Sequence, residues 1–257
     1  MTASQRKTIK LVIAYDGTDY CGWQKQDNGP TIQEEIEQVA SVICNEPITV
    51  YGAGRTDAGV HALGMTAHFK TISAIDLPRL QQGLNSMLPP AIRILDLQNV
   101  ADDFHARFSA VSKTYRYSVF NGDIMLPEDR LYRFHYPYKL AEAPMKACLK
   151  QIVGTHDFSS FENSGTRDKS IQSGKGAVRT IFSAKLEQHA ANCFDMHFTG
   201  DGFLRQMVRN LSGSILEVGR GLRTAREFQA ILKQKDRQAA GVSAPPCGLT
   251  LIKVDYQ

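Results

Sequence analysis

The sequence predicts an α+β fold made of two halves, each following the order β-α-β-β-α-β. Two observations lead to this prediction. Segments rich in β-branched residues alternate with segments whose apolar residues recur at helical spacing. The same order of elements occurs twice along the 257 residues, and it is the order of a ferredoxin-like unit with a mainly antiparallel sheet. We therefore predict two domains, residues 1–107 and 108–257, with a ligand cleft between them.

The first half contains four predicted strands and two predicted helices. Thr31 and Glu34 form a capping-box pattern at the start of the first helix, and Asp76 is placed to cap the second. The strands are predicted at Lys10–Tyr15, Ile48–Tyr51, Thr66–Lys70 and Ile92–Leu97, with inward helix positions at Ile32, Ile36, Val39 and Ile43, then at Leu77, Leu80, Leu84 and Met87.

The second half repeats this order and adds one helix, which a capping-box pattern at Thr224 and Glu227 introduces. Its strands are predicted at Tyr115–Val119, Val178–Leu186, Cys193–Thr199 and Leu249–Val254, and its helices carry Met145, Leu149 and Ile152, then Met207, Leu211, Ile215 and Val218 from a start near Phe203, then Phe228 and Leu232. Asn163–Gly176 has no apolar periodicity and is predicted to be a long loop, a lid or a nucleic-acid contact. No residue-level repeat relates the halves.

Positive charge is concentrated in one part of the chain. The net charge is +4, but Phe203–Arg237 alone holds eight basic and three acidic residues, a balance of +5. The remainder is therefore nearly neutral. A local excess of this kind is typical of phosphate contact, although a solvated helix face would have the same composition.

Several classes of protein are disfavoured by what the sequence lacks. No apolar run approaches the ~18 residues of a membrane span, and the polar N-terminus does not resemble a signal peptide, so we expect a cytoplasmic protein without membrane contact. The cysteines are widely spaced and form no C-x-x-C pair, which favours free thiols over a zinc module or a disulfide framework. These cysteines are Cys21, Cys44, Cys148, Cys193 and Cys247.

The most unusual stretch is Gly52–Gly59, in which three glycines surround Asp57. The glycines permit a tight loop after a strand. A dinucleotide-binding fingerprint is disfavoured, because it requires glycine where Asp57 stands and a helix that the following residues do not predict. By residue type alone, Asp57 is equally compatible with stabilising a turn and with catalysis.

Four motifs, in order along nearly the whole chain, resemble those of the bacterial TruA-type tRNA pseudouridine synthases. Gly54–His61, with the sequence GRTDAGVH, is similar to the catalytic motif of that family. Tyr15–Gln24 resembles its first-strand signature. Asp103–Ala110 with Tyr115–Tyr117 resembles the segment that brings the active-site tyrosine, and Phe203–Asn210 resembles the helix that supplies an arginine to the aspartate.

The resemblance implies isomerisation of uridine to pseudouridine at positions 38, 39 or 40 in the anticodon stem-loop of tRNA. It implies Asp57 as the nucleophile, Tyr115 as the residue that stacks on the uracil or transfers a proton, and Arg209 as the ion-pair partner of Asp57. Tyr117 is the alternative to Tyr115. The reaction requires no cofactor and no metal, and the family resemblance further implies a homodimer that binds tRNA.

Other basic residues are predicted to contact the RNA. Arg205 precedes Arg209 by one helical turn, so we expect the two side chains to lie on one face of the same helix. Arg55, Arg107 and Lys113 are the remaining candidates for substrate binding. Two other functions stay open: a tRNA-binding module of the same fold that lacks catalysis, and a hydrolase that cleaves glycosidic bonds, which would need a second carboxylate.

Overall fold

The computed structural model describes residues 6–163 and 176–257, so most of the predicted Asn163–Gly176 loop lies outside the described residues. The predicted α+β class with mainly antiparallel pairing is confirmed. The strands are β1 (Lys7–Tyr15), β2 (Tyr51–Gly52), β3 (His61–Thr71), β4 (Ile92–Val100), β5 (Ala110–Phe120), β6 (Phe134–His135), β7 (Gly154–Asp157), β8 (Val178–Ala190), β9 (Cys193–Gly200) and β10 (Leu249–Tyr256). The helices are α1 (Ile32–Cys44), α2 (Leu77–Met87), α3 (Glu142–Gln151), α4 (Met207–Gly219) and α5 (Ala225–Gln234).

The chain forms two compact units, residues 1–111 with 251–257, and residues 112–250. The last strand therefore belongs from Leu251 onward with the first unit, whereas the sequence grouped it with the second half. The reason is a close approach between β10 and β3, where the Ile252 carbonyl oxygen lies 2.5 Å from the position a Cβ would take at Gly64. Only glycine permits that separation.

In the first unit, β1 lies between β4 and β3, and both pairings are antiparallel. The order β1-α1-β2-β3-α2-β4 is the predicted one. Helix α1 buries Ile32, Ile36, Ala40 and Cys44, while the predicted Val39 and Ile43 are only half-buried. The buried stripe thus repeats at every fourth residue and is shifted from the prediction by about one residue over its second half.

The predicted strand Ile48–Tyr51 is wrong in most of its length, because regular pairing is restricted to Tyr51–Gly52 in β2. The backbone amides before it bond to side chains of α1 instead of to a strand. Ile48 N–H donates to Ser41 Oγ at 2.9 Å, and Val50 N–H donates to Glu37 Oε1 at 2.9 Å. Side chains that satisfy backbone donors in this way compete with a sheet ladder.

In the second unit, β9 lies between β5 and β8, and β7 follows β8, all in antiparallel pairs. The short strands β6 and β7 were not predicted, and β6 pairs with β5 in parallel. The predicted capping box of α5 is confirmed in both directions, between Thr224 and Glu227. Among the described residues, no helix is long and apolar enough to cross a membrane.

Candidate active site

The Gly54–His61 segment, called here the Asp57 loop, is tied to the Tyr15–Trp23 segment of the same unit. Tyr15 and Thr56 share a buried hydrogen bond of 2.8 Å between their hydroxyl groups. Trp23 N–H donates to the Thr56 carbonyl at 3.1 Å. Tyr15 and Trp23, the two partners of Thr56, are both buried. The loop therefore presents the half-buried Asp57 from a backbone that is anchored in the core.

Gly22 lets these two segments approach closely. Its φ is +96°, in the region that favours glycine, and a Cβ there would lie 2.6 Å from the Thr56 carbonyl oxygen. Sequence reasoning recognised the Tyr15–Gln24 motif but did not predict this packing against the Asp57 loop. The available signal was that two glycine-containing motifs occur in one half, although nothing in the sequence indicates that they touch.

Arg55, next to Asp57, is exposed and points to the first-strand motif. Its Nε donates to Gln24 Oε1 at 3.0 Å. Gln24 in turn donates to Gln33 Oε1 at 2.7 Å, and Gln33 Nε2 donates to the Val50 carbonyl at 2.9 Å. This chain of amides orients the guanidinium while leaving its side chain at the surface, an arrangement suited to contact with a ligand.

The two tyrosines of β5 have different environments, although they share one face of the strand. Tyr115 is 8% exposed, and its ring meets Phe203 edge-on with centroids 5.0 Å apart. Tyr117 is fully buried and donates its hydroxyl to the Pro245 carbonyl at 2.8 Å. Burial raises the pKa of Tyr117 well above its ordinary value, further raised by Cys247 and partly offset by Arg209. Tyr117 is therefore a core residue whose hydroxyl is already bonded, which disfavours it as the alternative to Tyr115.

Helix α4 begins at Met207, and not near Phe203 as predicted. Gln206 has φ +58°, a left-handed conformation that interrupts the helix between the two arginines. Arg205 consequently lies before the helix, exposed, and the expectation of a shared helix face with Arg209 is wrong. Arg209 lies in the first turn, where its Nε donates to the Ala244 carbonyl at 2.8 Å.

Asp57 belongs to the first unit, and Tyr115 and Arg209 belong to the second. That the three residues serve one reaction stays a prediction, as does the cleft that would hold them.

Five of the eight basic residues in the basic segment, Phe203–Arg237, make side-chain contacts within their own unit, Arg209 among them. Arg237 donates to Asn210 Oδ1 at 3.0 Å and to the Gly241 carbonyl at 3.1 Å. Arg223 forms an ion pair of 2.7 Å with Glu217. Lys235 pairs with Asp157 at 3.0 Å, and the Arg220 guanidinium lies 3.5 Å from the centre of the Tyr138 ring. The exposed basic side chains of the segment include Arg205, Arg226 and Lys233.

Asn210 was not predicted to have a role, yet it is a fully buried polar residue on the inward face of α4. Its Nδ2 donates to the Phe161 carbonyl at 2.8 Å, while its Oδ1 accepts from Arg237 and from the Ser243 hydroxyl. A buried amide that uses both its donor and acceptor fixes the position of a helix. It does so one residue after Arg209.

The remaining predicted RNA contacts lie on either side of the unit boundary. Arg107 is exposed in the first unit, with its guanidinium 5.8 Å from the centre of the Phe108 ring. Lys113 is half-buried on β5 of the second unit.

Near Arg107, burial and then the neighbouring His105 lower the pKa of His68 to about 4, so His68 is neutral at pH 7. Its Nδ1 accepts from Ala106 N–H at 3.2 Å, which is a structural role.

Within the described residues, one group of side chains is suited to a metal ion: Glu187, His189 and His197, on β8 and β9. The five cysteines are free thiols, two of them buried and three half-buried. Burial raises the pKa of Cys148 to about 12, which makes it a poor nucleophile.

The chain is similar to known proteins over nearly its whole length. The sequence model of a family described as tRNA pseudouridine synthase matches residues 11–109 and 148–257, which include the Asp57 loop and α4 but leave Tyr115 between the matched parts. tRNA pseudouridine synthase A 1 of Desulfotalea psychrophila is 54% identical over 250 residues, covering 97% of this chain and 100% of the relative. tRNA pseudouridine synthase A of Clostridium acetobutylicum is 43% identical over 250 residues, again covering 97% and 100%.

Proposed function

Since this chain belongs to the tRNA pseudouridine synthase family, we propose that it isomerises uridine to pseudouridine in tRNA, at position 38, 39 or 40 of the anticodon stem-loop. The observation that carries the proposal is the Asp57 loop. It holds the one carboxylate of the GRTDAGVH motif on a backbone secured by the Tyr15–Thr56 hydrogen bond and by the close approach of Gly22.

In the proposed reaction, the C1′–N1 bond breaks, the base rotates, and a C1′–C5 bond forms. The C5 proton is lost and N1 is protonated, so product and substrate have the same composition. The Asp57 carboxylate either attacks C1′ or supports loss of the C2′ proton. Both routes require an ionised carboxylate, and a nearby guanidinium favours that form.

We assign that guanidinium to Arg209. Its position in the first turn of α4 is fixed by the Nε–Ala244 hydrogen bond and by the network around Asn210. A held arginine can orient a carboxylate with less loss of side-chain freedom than a mobile one. For Tyr115 we propose stacking on the uracil or proton transfer; the edge-on contact with Phe203 supports this by holding the ring.

Chemistry on a base within a stem-loop requires the nucleotide to leave the stack, at a cost of a few kcal/mol that protein contacts must offset. We propose that Arg55, Arg107, Arg205 and Lys113 contribute those contacts. The exposure of the three arginines supports the assignment. Lys113 is the least accessible of the four.

The experiment uses unmodified tRNA that carries tritium at C5 of uridine. Isomerisation releases the tritium to water, and replacing U38, U39 or U40 with cytidine identifies the position. We expect release by the unaltered protein and a loss of at least about 1,000-fold in Asp57→Asn, which preserves shape but removes the nucleophile. Asp27→Asn, an exposed acid in the same unit, is the matched control and should retain activity.

Other results would point to the alternatives. Free uracil would indicate a glycosidic hydrolase, and tight tRNA binding without product would indicate a binding module. Turnover retained in Asp57→Asn would refute the nucleophile. Loss of tritium release on adding EDTA, while the chain stays folded, would refute a metal-free reaction.

We also propose that the protein acts as a homodimer, as the family resemblance implies. Sedimentation equilibrium should then give twice the chain mass of 28.5 kDa. A mass of one chain, at concentrations where tRNA is modified, would refute the dimer and leave the isomerase proposal intact.

A further inference from the structure

The hairpin formed by β8 and β9 carries three side chains whose ligand atoms lie within 4.8 Å of one another: Glu187, His189 and His197. We propose that these residues bind a divalent transition-metal ion of the Zn²⁺ type. The proposal does not rest on the isomerase activity, because it concerns a different group of residues within the second unit.

The register of the hairpin explains how the three side chains converge. Glu187 is opposite Asp195 in the register, and His197 lies two residues after Asp195 on β9. The side chains of Glu187, Asp195 and His197 therefore point to the same face of the hairpin. Between Gln188–Phe194 and Ala190–Cys193 the register shifts by one residue, which makes His189 the extra residue of a β-bulge. His189 lies two residues after Glu187, so strand alternation places it near the same face, and the bulge adjusts its direction locally.

His189 lies beside a carboxylate that can orient it as a metal ligand. Its Nε2 lies 3.0 Å from Asp195 Oδ2, and the Asp195 side chain is 4% exposed. When Nε2–H donates to a carboxylate, the lone pair of the neutral ring is on Nδ1. A carboxylate that orients a histidine through its second nitrogen is the usual partner of a metal-binding imidazole.

His197 provides the second observation. Its Nε2 is buried and makes no hydrogen bond within the described part of the chain. Glu187 Oε2 on β8 lies 3.6 Å from this nitrogen, which is too long for a hydrogen bond. Two ligand atoms at about 2.1 Å from a tetrahedral ion are roughly 3.4 Å apart, so this separation fits a shared metal better than a direct contact.

The surrounding charges permit a cation. Arg116 and Arg133 approach Asp195 at 3.8 and 3.5 Å, and Arg133 also pairs with Asp129 at 3.2 Å. The two guanidiniums pair with Asp195 and Asp129, and Glu187, opposite Asp195 in the register, adds a third carboxylate. Lys185 is opposite His197 in the register but is exposed, so its ammonium can remain in solvent.

The ligand set selects the class of ion. Two imidazoles and one carboxylate suit Zn²⁺ and its neighbours, whereas Mg²⁺ and Ca²⁺ prefer oxygen ligands alone. Three protein ligands leave a position for water. An ion at this place would connect β8 with β9 near the end of their hairpin, and we expect it to stabilise the second unit.

The test is calorimetric titration of the full chain with Zn²⁺ after removal of metals by a chelator. We expect one saturable site per chain, at least tenfold weaker in Glu187→Gln, His189→Gln and His197→Gln. His156→Gln is the matched control, because His156 is a half-buried histidine of the same unit outside the group. It should bind Zn²⁺ as the unaltered chain does.

Two further measurements sharpen the result. Zn²⁺ should raise the Tm of the unaltered chain by more than that of Glu187→Gln, whose exposed side chain can be replaced without disturbing the core. Mg²⁺ should give neither heat nor a Tm shift. The proposal would be overturned if no saturable Zn²⁺ site were found. It would also be overturned if the three variants bound Zn²⁺ as tightly as the unaltered chain, or if Mg²⁺ bound as tightly as Zn²⁺.

Discussion

The Asp57 loop and the basic segment hold charged residues by different means. The Asp57 loop is fixed through its backbone and through Thr56, while the carboxylate of Asp57 remains half-buried at the loop. In the basic segment, by contrast, the charged side chains themselves make the contacts, as in the Arg237–Asn210 and Arg223–Glu217 pairs. The comparison teaches that a motif with defined spacing singled out one candidate residue, whereas an excess of charge mixed structural residues with candidates for RNA contact.

The largest effect should come from disturbing the backbone beneath Asp57. In Gly22→Ala, the new methyl would meet the Thr56 carbonyl and displace the loop. A displacement of about 1 Å at a reacting group costs roughly 100-fold in rate, so we expect kcat/KM for tritium release to fall by about that factor.

Gly221→Ala is the matched control for this prediction. Gly221 also has a positive φ, +82°, but nothing lies within 4 Å of its Cβ position. The control should lose about 1 kcal/mol of stability and retain turnover. Equal turnover in Gly22→Ala and the unaltered protein would show that this contact does not position Asp57.

The next effect concerns stability in the basic segment. Arg237→Ala would leave the buried Asn210 oxygen with one partner fewer and remove the contact with Gly241. We expect the free energy of unfolding in urea to fall by about 2–3 kcal/mol. The exposed Arg226→Ala should change it by less than about 0.5 kcal/mol. Similar values for both variants would remove the distinction between engaged and exposed arginines.

The smallest effect concerns tRNA affinity. If Arg205 contacts one phosphate, Arg205→Ala should weaken binding several-fold and reduce the slope of log K against log salt by about 1. Arg223→Ala should leave that slope unchanged, because its guanidinium is paired with Glu217. Filter-binding titrations from low to high salt measure both slopes. A reduced slope in Arg223→Ala would mean that arginines engaged within the protein also bind RNA.

Local patterns in the sequence predicted most secondary structure because local interactions determine it. The Thr224–Glu227 capping box of α5 and the Asp76 cap of α2 are present as predicted. Local patterns failed where a side chain from another element bonded to the backbone, or where one residue adopted an uncommon conformation. Ser41 and Glu37 satisfy the amides before β2, and the left-handed Gln206 delays the start of α4. In neither case does the residue's own preference indicate the outcome.

By itself, the sequence determined the α+β class and the order of the elements in the first unit, since apolar periodicity is a property of the chain. The resemblance of its motifs to a family made Asp57, Tyr115 and Arg209 the candidates. Only the tertiary structure decided that Tyr117 is a core residue, that Arg205 lies outside α4 and that five of the eight basic residues in the basic segment are engaged internally. These outcomes depend on which partners the fold brings within hydrogen-bond distance. The Asp57 loop depends on both the sequence and the tertiary structure. Its motif is a local pattern, whereas the contact with Gly22 that secures it joins residues distant in the sequence.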